Sequence, residues 1–401
     1  MRKEKATKRL TVAIMLSVSV WSTHSVTAQN YGGYNYATGR HNSYISTGMP
    51  IQLVAPDAVS GALGDAGVAS TPDAYSTHWN NAKFAFVDQT ASISTTYTPW
   101  LQKIASDMNL LYLAGYKRIN DRSTIAASLT YFSMGTIPHT GEAGEDLGEY
   151  NPNEFSIDAT YAMKLSDNLS LGATARFLLS DLTQGMDVYG QTTKSAKGVA
   201  ADVGLYYQKE IDRNQEFALG AHISNLGNKL SYSDDDTEKE FLPANLRIGG
   251  RYSYTIDDYN KVNFLLDLNK LLVPTPPAKV GDTIYSDYYR DMTEYHQTST
   301  MQGAIQSFYD APGGLREELD EITLSVGAEY WYSNIFAARI GYFYESTNKG
   351  DRKYLTVGAG VRYNVLAFDF SYLIPTSKFS SNPLANTFRI SLTLNLKRDK
   401  K

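Results

Sequence analysis

Apolar and polar residues alternate one for one through most of the chain from residue 90 onward, which is the period of a β-strand. In the last such segment Phe388, Ile390, Leu392, Leu394 and Leu396 share one face, and Thr387, Arg389, Ser391, Thr393, Asn395 and Lys397 share the other. The pattern returns in Ile322, Leu324, Val326, Ala328 and Tyr330, in Leu355, Val357, Ala359, Val361 and Tyr363, and in Leu169, Leu171, Ala173, Ala175 and Phe177. It predicts strands near 90–98, 108–118, 124–134, 154–165, 169–181, 198–208 and 216–226, and near 244–255, 261–271, 321–332, 335–345, 354–363, 366–374 and 387–397. These are about 14 segments of about 9–13 residues, the length a tilted transmembrane strand needs.

The connections sort into two kinds. Asn120–Ser123, Ser166–Asn168, Glu210–Gln215, Asp257–Asn260, Ser333–Asn334 and Asn364–Val365 are short and rich in Asn, Asp and Ser, the residues of tight turns. Between them lie longer connections at 135–153, 182–197, 227–243, 272–320 and 375–386. Short turns at one end and long loops at the other predict an outer-membrane β-barrel with periplasmic turns, extracellular loops and, for an even strand count, both ends in the periplasm. A soluble β-sandwich also alternates. Two features weigh against it. The polar faces carry Gly, Ser, Thr and isolated charges rather than a Lys/Glu-rich surface, and Tyr and Trp gather at segment ends, as at Tyr97–Trp100, Tyr252–Tyr254 and Tyr330–Tyr332.

The first residues set the compartment. Arg2, Lys3, Lys5, Lys8 and Arg9 precede a short apolar run, Leu10 to Trp21, and Val26-Thr27-Ala28 offers small residues for cleavage. This order predicts a secretory signal peptide over 1–28. The run is too short to cross the roughly 30 Å bilayer core as a helix. The chain has no Cys, so it offers no disulfide, thiol chemistry or Cys-ligated zinc. Residues 1–28 hold five basic groups and one acid, so the remainder carries −9 against −5 for the whole chain. That acidity argues against a nucleic-acid partner. The cell outer membrane is the expected location, with its lipid as a partner.

Residues 29–50 are rich in Tyr, Gly, Asn and Ser and predict a flexible lead. Residues 51–88 then precede the barrel segments of 89–401. Small residues dominate there, which favours short helical turns packed into the lumen as a plug. The motif-like positions are Pro56, Asp57, Gly61, Gly64, Asp65, Gly67, Asn80, Asn81 and Ala82. The runs Ala55-Pro56-Asp57-Ala58, Gly61-Ala62-Leu63-Gly64-Asp65-Ala66-Gly67-Val68-Ala69, Asp73-Ala74 and His78-Trp79-Asn80-Asn81-Ala82-Lys83 resemble the N-terminal signature of the PorV family. The resemblance implies a FadL-like all-β fold, a 14-stranded antiparallel transmembrane barrel with a small N-terminal plug. It further implies a component of the type IX protein secretion system. Such proteins collect cargo by its C-terminal signal domain at the translocon barrel and shuttle it to a cell-surface, sortase-like attachment complex. FadL-like chains usually carry Asn-Pro-Ala where this one has Asn80-Asn81-Ala82, so a less rigid plug turn is expected here.

Candidate chemistry is sparse. The six His fall in no HExxH pattern, and no GxSxG or Gly-rich phosphate loop is present. No catalytic residue, cofactor or metal is expected. Asp234, Asp235, Asp236, Glu238 and Glu240 lack an EF-hand's glycine and spacing and predict a solvated acidic loop. Alternation turns Asp158, Arg176, Asp202, Arg247, Arg251, Asp267, Glu329, Arg339, Arg362, Asp369 and Arg389 inward, where the expectation is that they pair with each other across a wet lumen. The long connection 272–320 holds Tyr285, Tyr288, Tyr289, Tyr295, Phe308 and Tyr309. These are expected either to contact a partner or to pack as a lid on the barrel mouth. Two other functions stand beside the secretion role. One is a FadL-type transporter of long-chain fatty acids or other hydrophobic compounds, which needs a continuous apolar path that this lumen does not offer. The other is a lipid A-modifying enzyme.

Overall fold

The structure, a computed structural model, describes residues 34–35, 40–41 and 44–396, apart from 103–104, 141–144, 186, 189–190, 234–238, 278–291 and 377–383. The expected signal peptide and the residues Asp234, Asp235, Asp236, Glu238, Tyr285, Tyr288 and Tyr289 lie outside the described residues. Two units separate by their contacts. In the first, Met1–Asn42, Tyr34–Asn35 pairs with Arg40–His41 as a two-rung antiparallel ladder. The second, Ser43–Lys401, holds everything described below.

Fourteen strands close into a barrel in chain order. They are β1 (Ala91–Pro99), β2 (Asn109–Arg118), β3 (Ser123–Ser133), β4 (Asn153–Lys164), β5 (Leu169–Asp181), β6 (Ala196–Glu210), β7 (Gln215–Gly227), β8 (Asn245–Thr255), β9 (Asn260–Leu271), β10 (Ile322–Tyr332), β11 (Phe336–Tyr344), β12 (Lys353–Tyr363), β13 (Leu366–Pro375) and β14 (Phe388–Leu396). Each pairs antiparallel with the next, and β14 returns to β1 from Ile390↔Tyr97 to Leu396↔Ala91. Closure leaves no unpaired strand edge, which a hydrocarbon environment does not tolerate. The two faces follow the sequence alternation. Ile390, Leu392, Leu394 and Leu396 point out and stay exposed, while Arg389 and Ser391 between them are fully buried. The largest boundary difference is β6, two residues longer at each end than expected.

The short turns are fixed by their own side chains. Asn120 Oδ1 accepts the Arg122 and Ser123 amides at 2.8 and 2.9 Å, and Asp257 Oδ1 accepts those of Tyr259 and Asn260 at 2.9 Å. Ser333 and Asn334 both take positive φ, 53° and 55°, as a two-residue turn between twisted strands requires. The long connections carry structure that the alternation did not announce. Ile137–Thr140 pairs with Asp146–Tyr150, and Asp187–Val188 with Gln191–Thr192.

Ahead of β1, the chain folds into the lumen. A 3-10 turn (Pro50–Leu53), helix α1 (Ala58–Gly61), helix α2 (Ser76–Trp79) and a second 3-10 turn (Asn81–Phe86) follow one another. Ala55, Ala58, Ala62, Ala66, Ala69 and Ala82 have no exposed surface. In the longest connection residues 292–297 are helical, and helices α3 (Thr300–Gln306) and α4 (Leu315–Asp320) follow them. The lead expected over 29–50 needs correction at its end. Ile45 and Met49 are buried, Met49 against Leu178, Leu230 and Leu242, and the Gly48 amide donates to the Phe241 carbonyl at 2.9 Å. Apolar side chains within an otherwise polar stretch draw these residues into the core.

Candidate functional site

The plug is held by its own motif residues. Asp57 caps α1 by accepting the Ser60 amide at 2.8 Å, and its second oxygen accepts Trp79 Nε1 at 2.6 Å. Burial, with Asp73 close by, pushes this carboxyl up from 3.8 to about 6. Gly67 lies flat under the Trp79 ring, where a Cβ would meet the indole at 2.2 Å. Lys83 is fully buried, and its ammonium donates to the Gly67 carbonyl at 2.9 Å and to Ser70 Oγ at 2.8 Å. Burial lowers its pKa against the opposing pull of Asp73 and Asp57. Burial and the charge of Arg247 hold His78 well below its ordinary range. Pro56 sits between Ala55 and Asp57 in the buried approach to α1.

The same segment is tied to the wall. Asp267 of β9 accepts the Gly67 and Val68 amides on one oxygen, at 2.7 and 2.8 Å. Arg389 of β14 donates to the Ala55 carbonyl at 2.9 Å, and Arg247 of β8 to the His78 carbonyl at 3.2 Å. Arg251 donates to the Ala69 carbonyl at 3.1 Å, and Tyr354 to Asp65 at 2.6 Å. Gly64, at φ +67°, meets Gly341 of β11 backbone to backbone. A Cβ on Gly341 would lie 2.0 Å from the Gly64 nitrogen.

Two expectations change here. The inward charges do not all pair with each other. Arg176 does bridge Asp158 (2.7 Å) and Asp202 (3.0 Å), and Arg339 bridges Glu329 (2.8 Å) and Asp369 (2.6 Å). Arg247, Asp267 and Arg389 instead satisfy plug backbone, and Arg251 does so while also pairing with Glu216 of β7, because the plug occupies the lumen that water was expected to fill. Arg362 stacks 4.1 Å over the Trp331 ring. Nor is the plug turn loosened by Asn81 in place of proline. Asn81 Nδ2 donates to Thr174 Oγ1 at 3.0 Å and to the Asp202 carbonyl at 3.3 Å. Asn80 caps the Ala82 amide at 3.1 Å and reaches the Leu205 carbonyl at 2.9 Å. Side-chain amides supply by hydrogen bonds the rigidity a ring would have supplied by φ.

Two chambers flank the plug and share no lining residue. The one at the turn end, about 320 Å³, is bounded by Asp73, Arg251, Glu329, Trp331, Arg339 and Arg362. The one at the loop end, about 350 Å³, is bounded by Tyr44, Trp79, Trp100, Phe343, Arg352 and Tyr354, with Phe343 and Tyr354 stacked at 4.8 Å. Of the aromatic residues singled out in the longest connection, Tyr295 packs against Phe241, Ile45 and Val273, while Phe308 and Tyr309 stand exposed.

The sequence model of the type IX secretion system protein PorV matches residues 37–278, a span that holds the plug and the strands from β1 to β9. The chain belongs to the PorV family. It is an outer-membrane β-barrel of the type IX secretion system. No curated protein sequence matches it. Its structural neighbours are FadL-like outer-membrane barrels. The Ralstonia pickettii toluene transporter TbuX aligns over 86% of this chain and 100% of its own, with a TM-score of 0.47 and 13% identity. The P. putida toluene transporter TodX aligns over 86% and 100%, with 0.49 and 9%. A Pseudomonas aeruginosa FadL homologue aligns over 86% and 99%, with 0.44 and 12%.

Proposed function

We propose that this PorV-family chain binds the C-terminal signal domains of cargo at the type IX translocon barrel and shuttles them to the sortase-like attachment complex at the cell surface. The observation that carries this reading is the plugged lumen. Wall and plug are joined by hydrogen bonds across the barrel, from Asp267 to Gly67 and Val68 and from Arg389 to Ala55, and the chambers on either side share no lining residue. A barrel so filled suits a docking platform better than a conduit for fatty acids. The cargo surface we assign is the loop end, around the mouth of the chamber where Tyr44 stands exposed and Trp100 is half-buried. Rigid aromatic groups flanked by charges are the side chains that anchor protein interfaces. Tyr285, Tyr288 and Tyr289 are proposed to extend that surface.

Pull-down of the tagged full chain from native membranes tests the proposal. The translocon barrel and proteins bearing the C-terminal signal domain are expected in the eluate. A double Tyr44→Ala, Trp100→Ala variant is expected to lower cargo recovery while the barrel stays heat-modifiable on gels. Undiminished recovery would refute the surface assignment. Secretion unchanged in cells lacking the chain, with growth on fatty acids lost instead, would refute the secretion role.

A further inference from the structure

Each acid in the described lining of the loop-end chamber already has a partner, and one cation there has no acid. Glu321 is held by Lys270 and Lys349 at 2.7 and 2.9 Å, Glu345 by Arg352 at 2.7 Å, and Tyr354 donates to Asp65 at 2.6 Å. Arg247 is the cation left over. It is 5% exposed, and among the described residues no carboxylate pairs with it. Its Nε donates to Asn269 Oδ1 at 2.7 Å and its Nη1 to the His78 carbonyl at 3.2 Å, while the guanidinium lies 4.6 Å over the Trp79 ring. These contacts fix the plane of the group and leave Nη2 without a partner among the described residues, in a side chain that lines the chamber.

Strand register gathers further unmatched polar groups beside it. Asn245 is the next inward residue of β8, Asn269 lies directly across from Arg247 on β9, and Thr323 lies across from Asn269 on β10. All line the same chamber. Asn245 is 4% exposed, and neither end of its side-chain amide takes a partner among the described residues. Apolar groups complete the lining, among them Trp79, Phe343, Leu53, Val54 and Leu373. The plug closes the chamber below, and Tyr44, Pro50 and Gly350 stand exposed at its rim.

A buried guanidinium with unmatched N–H groups selects an anion, and a planar carboxylate fits it best. Asn245 sets an acceptor as well as a donor beside Arg247, so the matching ligand carries an N–H next to its carboxylate. The last residue of a polypeptide has both, and its side chain suits the apolar wall. A fatty acid has no N–H, and its chain needs a longer apolar run than a chamber of about 350 Å³ with paired charges in its lining supplies. A closed floor also suits a chain end. We propose that this chamber receives the C-terminal residue of a polypeptide, with its carboxylate on Arg247 and Asn269 and its amide N–H on Asn245. The inference rests on the cargo reading above: the polypeptide is the cargo, and its signal domain is held at the loop end by its last residue.

Fluorescence anisotropy with the detergent-purified full chain tests this. The probes are a labelled hexapeptide ending in phenylalanine with a free carboxylate, the same peptide amidated, and palmitate as competitor. The free acid is expected to bind at least about thirtyfold more tightly than the amide, because amidation removes one partner of a buried charge pair. Palmitate is expected not to displace it. Arg247→Gln is expected to abolish the preference for the free acid. Because Arg247 also bonds the plug, Asn245→Ala is the second variant; Asn245 makes no hydrogen bond to the plug, and its loss is expected to weaken the free acid about fivefold. Equal binding of acid and amide overturns the proposal. So does an Asn245→Ala chain that binds as the parent does, or displacement by palmitate as readily as by unlabelled peptide. If pull-downs still recover cargo in those cases, the cargo reading stands without this site. A parent chain that recovers no cargo yet keeps its preference for the free acid removes the cargo reading and leaves the carboxylate site standing.

Discussion

Removing the Asp267 side chain isolates the link between plug and wall. In the parent one buried carboxylate oxygen accepts both the Gly67 and the Val68 amide, at 2.7 and 2.8 Å, and nothing of Asp267 reaches solvent. Asp267→Ala leaves two buried donors without a partner, each costing about 1–3 kcal/mol. Local relaxation offsets part of this, so plug docking is expected to weaken by about 3 kcal/mol, equivalent to about a 150-fold rise in local opening. Asp267→Asn keeps a carbonyl oxygen able to accept both amides and loses only the charge, so a smaller effect is expected. Hydrogen exchange of the detergent-purified chain reads this directly. Amides between residues 60 and 72 are expected to exchange fastest in the Ala variant, intermediate in Asn and slowest in the parent, while strands β1 to β14 keep their protection. Equal protection of the plug in Ala and parent would refute the idea that Asp267 fastens it. Loss of protection throughout the barrel would show instead that the residue supports the wall.

Further outcomes follow from the same contacts. Gly341→Val places carbon where the Gly64 backbone lies 2.0 Å away; the plug is expected to shift at a cost of about 1–3 kcal/mol, read as new protease cleavage within 58–70. Asp57 sets a pH dependence. Its folded pKa, about 6, lies above the ordinary 3.8, so the folded plug binds the proton more tightly. This contribution, about 3 kcal/mol, is full below pH 3.8 and is lost as pH rises through 6. Protection of the 57–63 amides, corrected for intrinsic exchange, is therefore expected to be higher at pH 4 than at pH 7, and Asp57→Asn is expected to flatten the profile. Lys270→Met removes one cation from Glu318 and Glu321 while Lys349 still holds Glu321 at 2.9 Å, so a cost of about 3 kcal/mol, the lower end for breaking such a buried pair, is expected. Helices α3 and α4 are then expected to exchange rapidly while β9 itself stays protected.

Strands and plug differ in how much of them the chain spells out, and the reason is the range of the contacts that decide each. A strand of this barrel needs only an alternating pattern and a turn at its end. Both are local: Phe388 to Leu396 carries its own two faces, and Asn120 and Asp257 close their own turns. The plug is decided by pairs far apart in sequence. Gly64 is small because Gly341 is opposite it, and Arg389 serves the Ala55 carbonyl rather than an acid among the described residues. Alternation correctly turned Arg389, Asp267 and Arg247 inward but gave no means of choosing between an acid across the lumen and a backbone amide of the plug. One signal was present. Small inward residues such as Gly172, Gly204 and Gly341 mark where the plug presses on the wall, and each has plug atoms within 2.5 Å of the Cβ it lacks. Helices α3 and α4 were hidden for a different reason. Their apolar spacing, Met301 with Ile305 and Leu315 with Leu319, looks like an ordinary buried helix face until register puts Leu246 and Lys270 on the outside of the barrel. Only that placement turns a core-like stripe into an exposed one. The same alternation that defines the strands therefore also decides what the longest connection touches.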